Sequence, residues 1–202
     1  FSRSRGLGDV YKRQICKGPV GLGAKRTRID IIVCQRYNVY SSFITTLIEY
    51  ICAMDASVDF TYQTDFVLVD EQLFAKWLTI CAKQHKASSL SLVYAFMSDE
   101  YLLDLNVKYL SHNTLTDVIT FDDSSGKDVS ANIAISIDRV RENAKELNIP
   151  FDEELLRVMS HGLLHCLGHR DKTASQTEQM RKAERYCIKM FHVEQNKERH
   201  VS

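Results

Sequence analysis

The chain has 202 residues, 45% of them hydrophobic, which suits one globular domain with a hydrophobic core. Its 26 Lys and Arg balance 26 Asp and Glu, so the overall charge gives no support for nucleic-acid binding. The charges are unevenly placed, because residues 1–28 contain eight Lys or Arg and a single Asp. The rest of the chain is therefore acidic, and action on RNA would require a local basic patch.

Residues 1–53 are expected to lie outside the folded domain, as a non-native or disordered extension. Their first half is rich in Gly and basic residues and has no hydrophobic period. Residues 29–53 are more apolar, but charged residues such as Asp30 and Arg36 interrupt them, so no membrane-spanning helix is predicted. We expect native translation to start at Met54; a basic RNA-binding arm is the alternative interpretation of the extension.

The cysteines indicate a reducing compartment. The six of them form neither a C-x-x-C pair nor a regular disulfide framework. We therefore predict reduced thiols in a cytoplasmic protein.

Hydrophobic periodicity predicts one α+β domain over residues 54–191, followed by a frayed, charged tail at 192–202. Alternating apolar residues indicate strands, and apolar residues three or four apart indicate helices. In chain order the predicted elements are a strand at 58–62, a helix at 71–86, a strand at 89–96, a helix capped by Ser98, strands at 116–121 and 131–137, a helix capped by Asp138, a helix starting at Pro150, and a last helix with a capping box at Thr173–Gln176 or Ser175–Glu178. This order predicts a small mixed four-stranded sheet packed with about five helices. Strands 116–121 and 131–137 are expected to be antiparallel neighbours, and the helix from Pro150 to be central.

The predicted central helix contains the stretch HGLLHCLGHRDK, from His161 to Lys172. His161 and His165 are four residues apart, so on a helix their side chains lie about 40° apart on one face. Gly168 permits a sharp turn, because a left-handed backbone costs glycine little, and Asp171 follows it. This spacing indicates a metal site, with two imidazoles from one helix and a third ligand brought back by the turn. Two core histidines satisfied by hydrogen bonds are the alternative interpretation.

The third ligand is either His169 or Asp171. On a straight helix His169 would lie roughly 12 Å from His161, whereas the ligands of one zinc ion lie about 2 Å from the metal. His169 could reach the metal only if the helix ended before it. Asp171, beyond the glycine, is therefore the better candidate. Three protein ligands with an open fourth position are the catalytic zinc pattern.

The residue after His161 counts against a peptidase. Zinc proteases of the H-E-x-x-H type use the glutamate as general base. This chain has Gly162 at that position, which cannot accept a proton. A peptidase mechanism would have to take its base from elsewhere.

Three stretches, DLNVKYLSHNTLTDVITFD, ANIAISID and SHGLLHCLGHRDK, occur in this order and together resemble the bacterial YbeY family of zinc-dependent endoribonucleases. The resemblance runs from about Met54 to Phe191. It implies a zincin-like fold, with one Zn²⁺ per chain held by His161, His165 and Asp171. It also implies action on ribosomal RNA, at the 3′ end of the small-subunit rRNA, and a part in ribosome quality control. The implied partners are the ribosome and small-subunit proteins in the cytoplasm, without a membrane.

The chain departs from the family's pattern at several positions. A histidine is commoner in the family where this chain has Asp171, and an anionic ligand is expected to make the metal a weaker Lewis acid. Leu110 stands where many relatives have an arginine considered important for action on RNA, and His112 stands where a lysine is usual. These departures leave the predicted fold intact, but RNA contacts cannot be carried over residue by residue.

Three functional hypotheses remain open. The first is a metal-dependent endoribonuclease, in which attack on phosphorus by water and attack by the RNA 2′-OH are equally compatible with the sequence. The second is a zinc hydrolase of peptides or other small substrates, which requires a carboxylate base opposite the metal. The third is a non-catalytic ribosome-associated factor that keeps the metal for folding. No catalytic group is predicted beyond His112, which could donate to phosphate, and Arg170 and Lys172 are candidate phosphate contacts.

Overall fold

The computed structural model describes residues 54–199, which form a four-stranded mixed sheet and five α-helices. The elements are β1 (Asp55–Tyr62), α1 (Glu71–Gln84), β2 (Ser89–Met97), α2 (Asp99–Leu105), β3 (Val118–Asp122), β4 (Asp128–Ser136), α3 (Ile137–Leu147), α4 (Phe151–Cys166) and α5 (Ala174–Arg199). Their types and order confirm the predicted α+β fold. None of these helices combines the length and apolar character needed to cross a membrane. The predictions for residues 1–53 and for 200–202 lie outside the described residues.

The sheet has the strand order β1-β2-β4-β3, with the first three strands parallel and β3 antiparallel to β4. The predicted antiparallel pair is thus confirmed. Two strands begin three residues earlier than predicted, at Asp55 and Asp128, because both residues pair with Ser89 of β2. Ladder hydrogen bonds between backbones extend these strands into polar residues that carry no apolar alternation.

Helix α4 packs against β3, β4, α3 and α5 and is the central helix of the domain. The Tyr94 hydroxyl of β2 donates to the carbonyl of Met159 in α4 at 2.9 Å. The Trp77 indole N–H of α1 donates to the carbonyl of Cys187 in α5 at 2.7 Å. Both aromatic side chains are fully buried, so their polar groups need such partners. These bonds link α4 to the sheet and α5 to α1.

Helix α3 begins one residue before its predicted cap. Ser136 is the N-cap, since its hydroxyl accepts the N–H of Arg139 at 3.1 Å. Asp138 instead lies in the first helical turn, where its charge suits the helix dipole. The prediction that Asp138 caps this helix is wrong, because strand β4 continues to Ser136 and the helix follows directly.

Helix α5 begins after the first of the two predicted capping boxes. The N–H of Thr173 donates to the side-chain oxygen of Gln176 at 3.1 Å, and the N–H of Gln176 donates to the Thr173 hydroxyl at 3.3 Å. The helix then continues to Arg199, beyond residue 191 where the sequence predicts the domain to end. Its Glu194 is buried, so helix packing extends into the segment predicted as a tail.

Three cysteines belong to the described residues, and all three are free thiols, as predicted: Cys81, Cys166 and Cys187. Burial, with a smaller effect of Asp122, raises the pKa of the Cys166 thiol to about 12. Although it lies beside the histidine motif, Cys166 therefore stays a protonated thiol at neutral pH, and its Sγ donates to the Gly162 carbonyl at 3.4 Å.

Candidate metal centre

Helix α4 is buried along most of its length and open along a single stripe. Between Glu154 and His165 every residue is buried except Arg157, His161 and His165. These three are spaced four apart, which places them on one face of the helix. Helix α4 is therefore open at the face that carries its two histidines.

A glycine turn after α4 brings Asp171 back towards the histidines. Gly168 has φ +90°, in the left-handed region that side chains disfavour. Its N–H donates to the carbonyl of His165 at 3.0 Å, and the N–H of His169 donates to that of Leu164 at 3.0 Å. These bonds satisfy carbonyls at the helix end and fix the turn.

The ring of His169 takes no part in the centre, although the helix ends before it. That ring packs beside His85, with centroids 5.2 Å apart, and only the His169 carbonyl lies near the Nδ1 of His165, at 3.1 Å. Among the described residues, His161, His165 and Asp171 are the group of possible metal ligands that converges, with ligand atoms within 4.8 Å of one another.

The spacing of the three converging atoms is close to that around one metal ion. The Nε2 atoms of His161 and His165 are 3.0 Å apart, and the Asp171 Oδ2 lies 3.7 Å from each. Two ligand atoms bound tetrahedrally to zinc at about 2.0–2.1 Å are separated by about 3.3 Å. The two measured spacings lie on either side of this value.

The hydrogen bonds behind the imidazoles direct their lone pairs into the centre. The Nδ1 of His161 lies 2.7 Å from the Glu184 Oε1, and the Nδ1 of His165 lies 3.1 Å from the His169 carbonyl. An ionised carboxylate and a carbonyl can only accept, so these contacts favour a proton on each Nδ1 and a lone pair on each Nε2. Burial, and next the neighbouring His161, lowers the pKa of His165, which favours this neutral form. Two lone pairs 3.0 Å apart repel each other unless a cation lies between them, so the donor set fits a divalent metal.

A family model described as Endoribonuclease YbeY matches residues 60–192 of the chain. The chain belongs to the YbeY family. The Endoribonuclease YbeY of Flavobacterium johnsoniae is 45% identical over 138 residues, which are 68% of this chain and 99% of that relative. The one from Flavobacterium psychrophilum is 44% identical over 139 residues, 69% of this chain and 99% of the relative. The solution structure of TM1509 from Thermotoga maritima, 24% identical, matches with a TM-score of 0.55 over 70% of this chain and 93% of that one, and shares the fold.

In this YbeY-family domain the converging ligand atoms open into a cavity of about 630 Å³. His112, the candidate catalytic residue, lines the same cavity as the metal candidates. Arg170 is the one Lys or Arg that residues 54–199 contribute to its wall, which also contains acidic side chains. The lining residues are Asn106, Leu110, His112, Thr114, Leu115, Thr116, Asp117, Val118, Ile119, Thr120, Asp122, His161, His165, Arg170 and Asp171. Among the described residues, the cavity thus combines the candidate metal ligands with a single arginine.

The wall that carries His112 is held by a π-helical turn. After α2 the chain forms this turn over Asn106–Leu110, and Ser111 then adopts a left-handed conformation with φ +56°. The buried side-chain amide of Asn106 donates to the carbonyl of Thr114 at 2.7 Å, across the loop. The loop is therefore attached to the helix at both of its ends, and Leu110 and His112 line the cavity between them.

Gly162 packs so tightly against the sheet that its position is closed to a general base. A Cβ built on Gly162 would lie 2.9 Å from the Cγ2 of Ile133 in β4 and 3.4 Å from the Thr120 Oγ1 in β3. Ile133 is fully buried in the core, where close packing makes a shift of its side chain costly. A glutamate at this position, as in the H-E-x-x-H peptidases, would have no room for its side chain.

Glu184 and Arg157 border the centre and were not predicted as site residues. Glu184 lies 23 residues after His161, on α5, and reaches it only because α5 packs against α4. Arg157 is the third member of the open stripe, and its helical spacing from His161 is the one sequence signal that indicates it. The position of Glu184 matches the last helix of the family, but nothing in the sequence indicates that this residue contacts His161.

Proposed function

We propose that the protein is a metal-dependent endoribonuclease that matures ribosomal RNA, at the 3′ end of the small-subunit rRNA, and takes part in ribosome quality control. Membership of a family whose relatives are named Endoribonuclease YbeY supports the activity. The observation that carries the proposal is the pair of Nε2 atoms and the carboxylate oxygen that converge at the wall of an open cavity. The ribosome and its small-subunit proteins, in the cytoplasm, are the proposed partners.

The proposed cofactor is one Zn²⁺ per chain, held by His161, His165 and Asp171. Two imidazoles and a carboxylate are a donor set that zinc accepts, and three protein ligands leave a position for water or substrate. When bound, the metal would polarise a phosphate oxygen and lower the pKa of water. The negative charge of Asp171 reduces this polarising effect below that of three neutral imidazoles.

The residues of the cavity wall would bind and orient the RNA. Arg170 supplies a positive charge for the phosphodiester, and the bonded groups of Asn106 and Thr114 keep the opposite loop in place. His112 is the candidate to donate a hydrogen bond to phosphate, because it lies on that loop and lines the same cavity. Packing of Gly162 on Ile133 disfavours the peptidase alternative, since the base position of the zinc proteases is blocked.

The first test is elemental analysis of the chain purified without a chelator. We expect about one zinc per chain, and a strong loss in Asp171→Ala, because the carboxylate is one of three ligands. A matched control is Asp123→Ala, which removes a carboxylate absent from both the convergent group and the cavity wall. No stoichiometric metal in the wild type would contradict the proposed cofactor.

The second test is cleavage of an RNA that carries the 3′ end of a small-subunit rRNA precursor. We expect cleavage by the zinc-loaded wild type and not by Asp171→Ala. A 2′,3′-cyclic phosphate product would identify attack by the 2′-OH. A 3′-OH together with a 5′-phosphate would identify attack by water, because attack by the 2′-OH always expels the 5′ oxygen. Stoichiometric zinc without RNA turnover would favour the non-catalytic ribosome-associated factor, and cleavage of peptides would favour the hydrolase of small substrates.

A further inference from the structure

A network of charged side chains borders the candidate metal centre, and one of its members, Asp117, also lines the cavity. Its middle is the Arg157 guanidinium, which binds Glu154 through Nε at 2.8 Å and through Nη2 at 2.7 Å. The same Nη2 donates to the Asp117 Oδ2 at 3.0 Å, and the Nη1 lies 3.9 Å from the Glu184 Oε1. One guanidinium thus faces three carboxylates, which come from α4, the loop before β3, and α5.

Two of the three carboxylates are withdrawn from water, whereas the guanidinium and Asp117 are partly exposed. Glu154 is completely buried, the side chain of Glu184 is 7% exposed, and that of Arg157 is 28% exposed. Hydrogen bonding to Glu154 is the largest cause that raises the pKa of Arg157, and the guanidinium remains charged. Charge-assisted bonds at such sites are shorter and stronger than those between neutral groups.

A single oxygen of Glu184 serves both the network and the centre. Its Oε1 is 2.7 Å from the Nδ1 of His161 and 3.9 Å from the Arg157 Nη1. The carboxylate therefore accepts a hydrogen bond from His161 on one side and lies within ion-pair distance of Arg157 on the other. His165 is supported differently, by the backbone carbonyl of His169.

We propose that Glu184 is a positioning residue for His161: its carboxylate, held by Arg157, fixes the imidazole with Nδ1 protonated and Nε2 directed at the metal. This inference rests on the proposed metal-dependent function. Partners of this kind orient metal-binding histidines, and their loss weakens metal affinity by about 10–100-fold. The three carboxylates also exceed the single guanidinium in charge, and a bound cation would offset this excess.

Two replacement side chains of the same length as glutamate separate the effect of the hydrogen bond from the effect of packing. In Glu184→Met the side chain fills the same space but cannot accept a hydrogen bond, whereas in Glu184→Gln the amide oxygen still can. Affinity for Zn²⁺ would be measured on the full chain by competition with a chromophoric chelator. We expect a loss of about 10–100-fold in Glu184→Met and recovery of most of this affinity in Glu184→Gln.

The matched control is Glu194→Met, which replaces another buried glutamate of α5 that pairs with Lys76 and Lys197 rather than with a histidine. It is expected to lower the free energy of unfolding and to leave the zinc affinity of the folded protein unchanged. Equal zinc affinity in Glu184→Met and wild type, or an equal loss in the two α5 Met variants, would overturn the inference. A wild type that binds no zinc would overturn the proposed function and this inference together.

A measurement on the metal-free wild type avoids any folding defect of the variants. Long-range ¹H–¹⁵N correlation of the histidine rings identifies which nitrogen carries the proton. We expect the Nδ1–H tautomer for neutral His161. A predominant Nε2–H tautomer would overturn the positioning role even if the wild type binds zinc.

Discussion

The two sides of helix α4 have opposite chemistry. On the packed side, Met159, Gly162 and Leu163 are buried, and Gly162 leaves no space for even a methyl group. On the open side, His161 and His165 meet a cavity, and their nitrogens have polar partners. Tight packing on one side fixes the direction in which the other side presents its imidazoles.

This contrast places the core packing and the proposed metal binding on different faces of one helix. Removing an open-side imidazole deletes a ligand but little buried apolar contact, whereas a change on the packed side alters the core directly. Substitutions on the two faces should therefore have separable effects on zinc affinity and on the free energy of unfolding.

The largest effect is expected for His165→Ala, which removes a proposed metal ligand from the open side of α4. Loss of one of two imidazole ligands should lower zinc affinity by at least roughly 100-fold and RNA cleavage by roughly 1,000-fold or more. The stability of the metal-free protein should change little, because the His165 side chain is 28% exposed. Chelator competition, RNA turnover and urea denaturation measure the three quantities.

The control for this substitution is His192→Ala. His192 lies on α5, pairs with Glu153 at 2.8 Å and is partly exposed, so it is a histidine of the same fold outside the convergent group. It should retain zinc and RNA cleavage. Full RNA cleavage by zinc-free His165→Ala would contradict the proposed centre.

Gly162→Ala adds a methyl group on the packed side of α4 and is expected to have the next largest effect. Alanine normally stabilises a helix relative to glycine, by roughly 0.5–1 kcal/mol. Here the added Cβ meets the Ile133 Cγ2 at 2.9 Å within a filled core, and overpacking costs about 1–3 kcal/mol. The clash should therefore win, and urea denaturation should show a net loss of stability with zinc affinity of the folded protein unchanged.

A second substitution locates the clash. Ile133→Leu keeps the volume of the side chain but removes the branch that carries Cγ2, so it should destabilise the wild type more than it destabilises Gly162→Ala. Additive effects in this double-mutant cycle would show that the contact with Ile133 is not the source of the loss.

The order of the elements and the two histidines could be predicted because both depend on local periodicity. His161 and His165 share a face through helical spacing alone, and the glycine at position 168 marks the turn that returns Asp171. Ser136 was missed as a cap because the pairing of β4 with β2, rather than local propensity, decides where that strand ends.

The support of the centre could not be predicted, since it depends on how elements cross. Glu184 meets His161 only through the packing of α5 on α4, and Arg157 meets Asp117 across 40 residues of chain. No periodic pattern within either segment specifies these contacts. The sequence identifies Gly162 as a missing base, whereas its distance to Ile133 depends on the sheet beneath α4 and could not be predicted.

Arg170 lines the cavity on the open side of α4, where RNA is proposed to bind. Arg170→Ala is expected to have a smaller effect, on RNA binding. Arg170 is the one Lys or Arg that the described residues contribute to the cavity wall, so its loss should weaken RNA binding by about 3–10-fold and reduce the salt dependence of binding by about one phosphate contact. Lys172→Ala, two residues away and outside the wall, is the matched control. Binding titrations at several salt concentrations measure both effects, and equal losses in the two variants would indicate non-specific charge attraction.

The smallest effect concerns the packed end of α5, where Glu194 pairs with Lys76 at 3.1 Å and with Lys197. Burial by itself raises the pKa of Glu194, but the two ammonium groups outweigh it, and the pKa is lowered from its ordinary value of 4.5. A lowered pKa means that the ionised group contributes stability above pH 4.5, and that this contribution is lost as the pH falls through the lowered pKa. Glu194→Gln should therefore cost at most about 1 kcal/mol at neutral pH, because both lysines are largely exposed, and progressively less in acid. Urea denaturation of the wild type and of Glu194→Gln between neutral pH and about pH 3 measures the difference in their free energies of unfolding. If this difference grows in acid, the pKa of Glu194 is not lowered. The buried carboxylate would then destabilise the helix.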